Sequence, residues 1–167
     1  LVRSRGLGDV YKRQTPMRGT AYFVIQDSKG IIWIATKGDG LIRAESTSPD
    51  GMSYRLTRYL HQEDDMYSLS DNNVYCVYED HHGRIWVATF GGGINYITED
   101  KDRKTLFINH RNNLKGYPID PCYKARFITS DNNGRLWVGT TTGAIAFDEN
   151  FEKPEEVEFH HFSRVPN

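Results

Sequence analysis

Three aspartates present the first candidate chemistry. Asp27, Asp80 and Asp131 each stand six residues before a tryptophan (Trp33, Trp86 and Trp137), with Gly30, Gly83 and Gly134 in between. Carboxylates at turns are candidates for general acid–base work. Each one recurs at an equivalent place, however, and a residue present in every copy of a repeat is structural before it is catalytic. The run Glu63-Asp64-Asp65 has the composition of a Ca²⁺ site or of paired glycosidase carboxylates. It lacks the alternating spacing of a calcium loop and reads as a solvated loop. His81-His82 and His160-His161 suggest a metal, but neighbours on a strand point to opposite faces and do not grip one ion easily. Cys76 sits among Val74, Val77 and Tyr78, where a small buried hydrophobe fits. A disulfide from it to Cys122 would join non-equivalent positions of neighbouring units. Gly91-Gly92-Gly93 is read as a strand turn, since no helix follows it to cradle a phosphate. No Ser/His/Asp order, Walker loop or zinc spacing is visible, so the expectation is no catalytic set, no metal and no cofactor.

The elements that hold these residues come from an internal repeat. Residues Ala21–Thr36, Val74–Thr89 and Ala125–Thr140 share the pattern D-x-x-G-x-[IL]-W-[IV]-[AG]-T, and their tryptophans are 53 and 51 residues apart. The Asp suits a type I turn, where its carboxylate accepts the backbone N–H two residues on. The Gly, three residues later, suits a positive φ as the chain returns. Phe23-Val24-Ile25, Cys76-Val77-Tyr78 and Phe127-Ile128 are apolar at consecutive positions, which predicts strands covered on both faces. Gly40, Gly93 and Gly143 mark a second turn, followed by short strands such as Leu41-Ile42 and Ile94–Ile97. More polar segments, 54–59, 106–110 and 157–162, are placed outermost.

Four strands in about 50 residues, the second bearing Trp, describe a propeller blade. The fold class expected is all-β, a β-propeller fragment of about three four-stranded blades in an incomplete ring, because closure takes about four to eight blades. Blade one is assigned to residues 15–61, blade two to 62–111, and blade three to 112–167. Residues 162–167 read as the lead-in to a further unit.

Composition narrows the function classes. The chain has 167 residues, 21 basic and 22 acidic, for a net charge of −1. Hydrophobic residues make up 38%, aromatics 13%, and the mean hydropathy is −0.64. That balance argues against a nucleic-acid partner and against a polybasic membrane anchor. The longest apolar run, Ile31–Ala35, is far short of the ~20 residues that span a bilayer, so no membrane segment is expected. Residues 1–14, LVRSRGLGDVYKRQ, fit neither strand nor helix period and resemble a translated sequencing adapter. Removing their four basic residues and one acid takes the net charge from −1 to −4.

The units resemble the two-component regulator propeller repeat, whose pattern runs roughly SLS-x-N-x-V, D-x-x-G-x-LWIGT and GGL-x-x-Y. Ser68-Leu69-Ser70-Asp71-Asn72-Asn73-Val74, Asp80, Gly83, Ile85–Thr89 and Gly92–Tyr96 carry the match in blade two. Blade one has Thr15-Pro16-Met17 in place of the lead-in and Gly38-Asp39-Gly40 at the turn, and blade three has Pro121-Cys122 and Thr141-Thr142-Gly143. The pattern is also similar to the structural Asp-box of sialidases. The resemblance implies a periplasmic ligand-sensing segment of a hybrid two-component sensor, without catalysis of its own. It further implies an oligosaccharide ligand, a homodimeric parent sensor, and the remaining blades of the parent chain as partners. The alternatives are a piece of a propeller lyase or glycosidase, or an intracellular scaffold. In a propeller, the turns between strands two and three gather at one rim with the segments leading into the next blade. That places Lys37, Asp39, Tyr67, Phe90, Tyr117, Tyr123 and Thr141 as candidate ligand contacts, aromatics for stacking and polar groups for sugar hydroxyls.

Overall fold

The computed structural model describes residues 17–163; the adapter-like segment and residues 164–167 lie outside them. Twelve strands form three separate four-stranded antiparallel sheets, each in simple sequential order. The first sheet contains β1 (Thr20–Gln26), β2 (Ile32–Lys37), β3 (Leu41–Ser46) and β4 (Tyr54–Tyr59). The second contains β5 (Val74–Glu79), β6 (Ile85–Thr89), β7 (Gly93–Glu99) and β8 (Thr105–Ile108). The third contains β9 (Ala125–Ser130), β10 (Arg135–Thr140), β11 (Gly143–Asp148) and β12 (His160–Ser163). First strands of adjoining sheets lie against one another, β1 on β5 and β5 on β9, so the sheets fan outward as propeller blades do. The ring is not closed.

Two cores fill the gaps between sheets. Trp33, Ala35 and Leu41 of the first sheet meet Val77, Ile85, Val87 and Phe107 of the second. Trp86, Ala88 and Ile94 of the second meet Ile128, Leu136, Val138, Ile145 and Phe147 of the third. The tryptophans of the first two units therefore project toward the unit that follows. Burial of β6 is complete along its length because a sheet covers it on either side. The outer sheets depart from the two-faced burial expected of their first strands: Val24 is 56% exposed and Phe127 51%. Neither has a sheet packed over that face among the described residues.

Further differences appear in the third unit. A one-turn helix, α1 (Ile119–Cys122), stands where blade two has its Ser-Leu-Ser lead-in, and no periodic signal in the sequence foretells so short a turn. Residues 157–159 precede the outer strand instead of forming it, after a 3-10 turn at Pro154–Glu156. Phe162 and Ser163, read from the sequence as part of the lead-in to a further unit, pair with Ala144 and Gly143 within β12.

One irregularity is common to all three sheets. The pairing of first and second strands slips between Ala21 and Phe23, between Val74 and Cys76, and between Ala125 and Phe127. The skipped residues, Tyr22, Tyr75 and Arg126, occupy the same place in the repeat. Each is a β-bulge, which turns a side chain out of the pleat.

Candidate functional site

The repeated Asp closes each hairpin with three hydrogen bonds. Asp27 accepts the N–H of Lys29 (3.0 Å) and of Ile31 (2.8 Å), and its second oxygen accepts Trp33 Nε1–H (2.8 Å). Asp80 binds His82, Arg84 and Trp86 in the same way (2.9, 2.9 and 2.8 Å), and Arg84 Nε adds a fourth bond at 2.7 Å. Asp131 binds Asn133, Arg135 and Trp137 at 2.8, 3.1 and 3.0 Å. The indole bond holds the Asp131 carboxyl below the usual range, helped by those two backbone amides against a smaller opposing effect of burial. Gly30, Gly83 and Gly134 all have φ between 75° and 82°, as the return of the chain requires. The Asp–Trp spacing of six residues was visible in the sequence, but the indole bond it encodes was not read from it.

The remaining polar clusters are also engaged in the fold. Asp65 accepts the Tyr67 N–H (2.9 Å) and pairs with Lys104 (3.6 Å), while Glu63 and Asp64 are exposed. His81 and His82 occupy the hairpin turn, not a strand, and both reach the third unit: His81 Nδ1 lies 2.6 Å from Glu149 and His82 Nε2 lies 2.9 Å from Asn150 Oδ1. No group of three or more His, Cys, Asp or Glu is placed to hold a metal among the described residues. Cys76 and Cys122 are buried free thiols, and burial pushes the Cys76 thiol up. A buried network of Ser70, Thr89, Asn95 and Asn109 fixes the lead-in of the second unit against its own sheet.

Backbone bonds gather the proposed rim. Gly38 and Gly40 donate to the Asn72 carbonyl (3.1 and 3.0 Å), Phe90 to that of Asn73 (2.8 Å), and Gly93 to that of Tyr123 (2.9 Å). Thr141 donates to the Lys124 carbonyl (3.2 Å). Lys37, Tyr123 and Thr141 are exposed at this end, and Tyr67 and Phe90 are half-buried. Two candidates are committed elsewhere. Asp39 is 5% exposed, accepts the Arg18 N–H (3.1 Å) and pairs with Arg58 (3.4 Å). Tyr117 is 3% exposed, donates its hydroxyl to the Cys122 carbonyl (2.8 Å), and has its phenol pushed far up by burial. Its ring fills the space above Gly93, where an added Cβ would lie 2.4 Å from Tyr117 Cε1.

Sequence reasoning missed the side chains that flank this rim. Tyr75 stacks on Phe90 with ring centroids 4.8 Å apart at 19°, and Tyr22 meets Tyr75 edge-on at 4.8 Å. Lys124 Nζ and the Arg126 guanidinium each lie 5.2 Å from the Phe90 centroid, and Lys124 is also 5.2 Å from that of Tyr123. Because this repeat position holds Tyr in two units and Arg in the third, a search for residues shared by all three passes over it.

Residues 68–91 match the family model described as "Two component regulator propeller". No curated protein matches the chain. Among solved structures, the extracellular domain of the hybrid two component system BT4673 from B. thetaiotaomicron aligns with 28% identity and a TM-score of 0.60, covering 82% of this chain and 17% of that one. A second structure of that ectodomain, described as a one component system, gives 27% identity and 0.56, covering 81% and 17%. The ectodomain of the hybrid system BT3049 from the same organism shares the fold, at 21% identity and a TM-score of 0.61 over 90% of this chain and 19% of its own. This chain thus spans under a fifth of the length of these neighbours. Its bonded Asp–Gly–Trp hairpins and fanned sheets place it in their company: the chain carries the two component regulator propeller repeat, in the propeller-type fold of the extracellular domains of hybrid two component systems.

Proposed function

We propose that this chain is a ligand-sensing segment of an extracellular or periplasmic sensor domain, without catalysis of its own, and that oligosaccharides are its ligands. The observation that carries this reading is the likeness to the BT4673 ectodomain at 28% identity over 82% of the chain. The geometry supports it in two ways. The repeated carboxylates, the most reactive groups that recur, are saturated by turn amides and indoles and are spent on folding. At the gathered rim, by contrast, Tyr123 is exposed for stacking on sugar rings beside the half-buried Phe90, and Lys37 and Thr141 are exposed to bond sugar hydroxyls. In this reading the units at 15–61, 62–111 and 112–167 are blades of a longer propeller. A further blade would cover the half-buried Trp137, which stacks on Phe162 (5.4 Å, 21°). The parent sensor is a homodimer in this proposal.

The test is a thermal-shift screen against neutral and acidic oligosaccharide pools, run beside a reducing-end assay for turnover. Saturable stabilisation with no new reducing ends is the expected result. Release of new ends proportional to protein would overturn the non-catalytic reading, and no shift with any pool would overturn the ligand class.

A further inference from the structure

The strip Tyr22–Tyr75–Phe90–Lys124–Arg126 crosses all three units, one contact at a time. Three of its members occupy the β-bulge that recurs in each first strand, where backbone geometry is kept while the residue is Tyr in two units and Arg in the third. Hairpin turns, indoles and glycines are the same in every unit because they solve the same folding problem. A bulge that is kept while its side chain varies does something else: it aims a side chain at whatever lies along the inner face of the fan. Tyr22 at one end is 40% exposed and Arg126 at the other is exposed, while Tyr75, Phe90 and Lys124 between them are half-buried, so the strip opens to solvent at both ends.

Its charge is one-sided. Acids outnumber bases in this chain, yet neither Lys124 nor Arg126 makes an ion pair among the described residues; both rest on the aromatic rings instead. Two cations without counter-charges beside phenol hydroxyls and ring edges suit a long ligand that carries both pyranose-sized apolar faces and negative groups. We propose that this strip is a binding site for acidic oligosaccharides, sugars bearing carboxylate or sulfate, with the bulge residues setting specificity. This deepens the sensing reading above and rests on it.

Surface plasmon resonance on the immobilised 167-residue chain tests it with trigalacturonate and a chondroitin sulfate tetrasaccharide as acidic probes, and maltotetraose and xylotetraose as neutral ones. An acidic probe is expected to bind at least about tenfold more tightly than the neutral pair, and to weaken as NaCl rises from about 50 to about 300 mM, where ionic screening shortens from roughly 14 to roughly 6 Å. The double variant Lys124→Gln/Arg126→Gln is expected to lose about tenfold of that affinity and Tyr22→Ala several-fold, since rim ion contacts and single ring contacts carry about that much. Unchanged circular dichroism and tryptophan emission would show that both variants keep their fold. Acidic binding untouched by the double variant overturns the site. Binding of neutral sugars alone overturns the acidic class and leaves the sensing reading intact, whereas no binding by any of the four probes removes both.

Discussion

Replacing Asp80 by Ala puts the hairpin argument at risk where it is strongest. The carboxylate is fully buried and accepts four donors: the His82 and Arg84 amides, Arg84 Nε and Trp86 Nε1. Trp86 is 0% exposed, wedged against Tyr96 and Phe147 at centroid distances of 5.0 and 5.1 Å, so water cannot replace the lost acceptor at its indole. An orphaned buried donor costs about 1–3 kcal/mol, and losing bonds to a charged acceptor in the turn adds about 1.5–3 kcal/mol. The expected loss is about 3–5 kcal/mol, at the upper end for a point substitution. In a fold of this size each kcal/mol moves the melting temperature by roughly 2–4 °C, which gives a fall of about 6–20 °C. Thermal melts followed by circular dichroism and by Trp emission supply the readout, and Asp80→Asn should fall between wild type and Ala because it keeps one acceptor for the turn amides. The matched change Asp131→Ala removes the same three bonds, but Trp137 is only half-buried and water reaches the turn, so its effect should be smaller. An Asp80→Ala melt within about 2 °C of wild type, or an equal loss at Asp131, would refute the claim that a buried indole bond anchors each unit.

Three other outcomes follow from the same packing. Gly93→Ala sets a Cβ 2.4 Å from the Tyr117 ring at φ +68°, and should cost about 2–3 kcal/mol in denaturant titration; Gly38→Ala, at φ +82° with nothing near, should cost only about 1 kcal/mol, so equal values would remove Tyr117 as the cause. Asp50, Asp131 and Glu155 have carboxyls held low, chiefly by side-chain hydrogen bonds from Ser48, Trp137 and Asn113. The unfolded chain therefore takes up protons first: their contribution is complete above the ordinary carboxyl range and drains away as pH falls below about 4, so stability unchanged between pH 5 and 3 would contradict it. Val24, Phe127 and Phe162, 56%, 51% and 53% exposed, leave apolar faces on the outer sheets. Sedimentation should show concentration-dependent oligomers that Val24→Lys/Phe162→Lys shifts toward monomer, and a monomer at every concentration would count against it.

The sequence disclosed the repeat because the repeat is paid for by local chemistry. An Asp that must bond the amides two and four residues on, a Gly at positive φ and a Trp six residues along are constraints within one hairpin, and each leaves its residue at a fixed spacing. Burial was legible only where both neighbours are present. Consecutive apolar residues predicted two covered faces for all three first strands, yet only β5, with sheets on both sides, comes near it; Val24 and Phe127 are equally apolar and lie open. Composition at a position states what a strand can bury, and the neighbours decide what it does bury. Two of the rim candidates are buried for a related reason. Asp39 and Tyr117 look like loop residues in sequence, but Arg58 and Gly93, distant along the chain from their partners or separated from them by a whole strand, draw them inward. His81 and His82 fall in the turn, not on a strand, because Asp80 Oδ1 captures the His82 amide and carries the hairpin through them.

The bulge residues escaped the reading for the opposite reason, and that contrast bears on how repeats acquire function. Any feature found by aligning units to one another must be the same in every unit, which selects for folding requirements: the Asp–Trp bond is made three times at 2.8, 2.8 and 3.0 Å. A ligand breaks that equivalence, because it lies across the units and meets each at a different part of its own structure. Residues that contact it should then share a backbone position without a fixed type, as the common register slip does with two tyrosines and Arg126. A bulge costs a ladder pairing and leaves a residue unmatched, so its presence in three sheets at one position calls for a cause that acts on all three. Sheet geometry alone supplies one cause, a sharper twist where first strands converge, and this would tolerate any side chain of modest size. It does not explain why the three residues chosen, together with Phe90 and Lys124, join ring to ring and cation to ring into one strip. Substituting Tyr75 by Val separates the two causes: a purely geometric bulge keeps its register and all ligand affinity, whereas a recognition strip keeps its register and loses acidic-sugar binding by several-fold, the scale of a single aromatic contact.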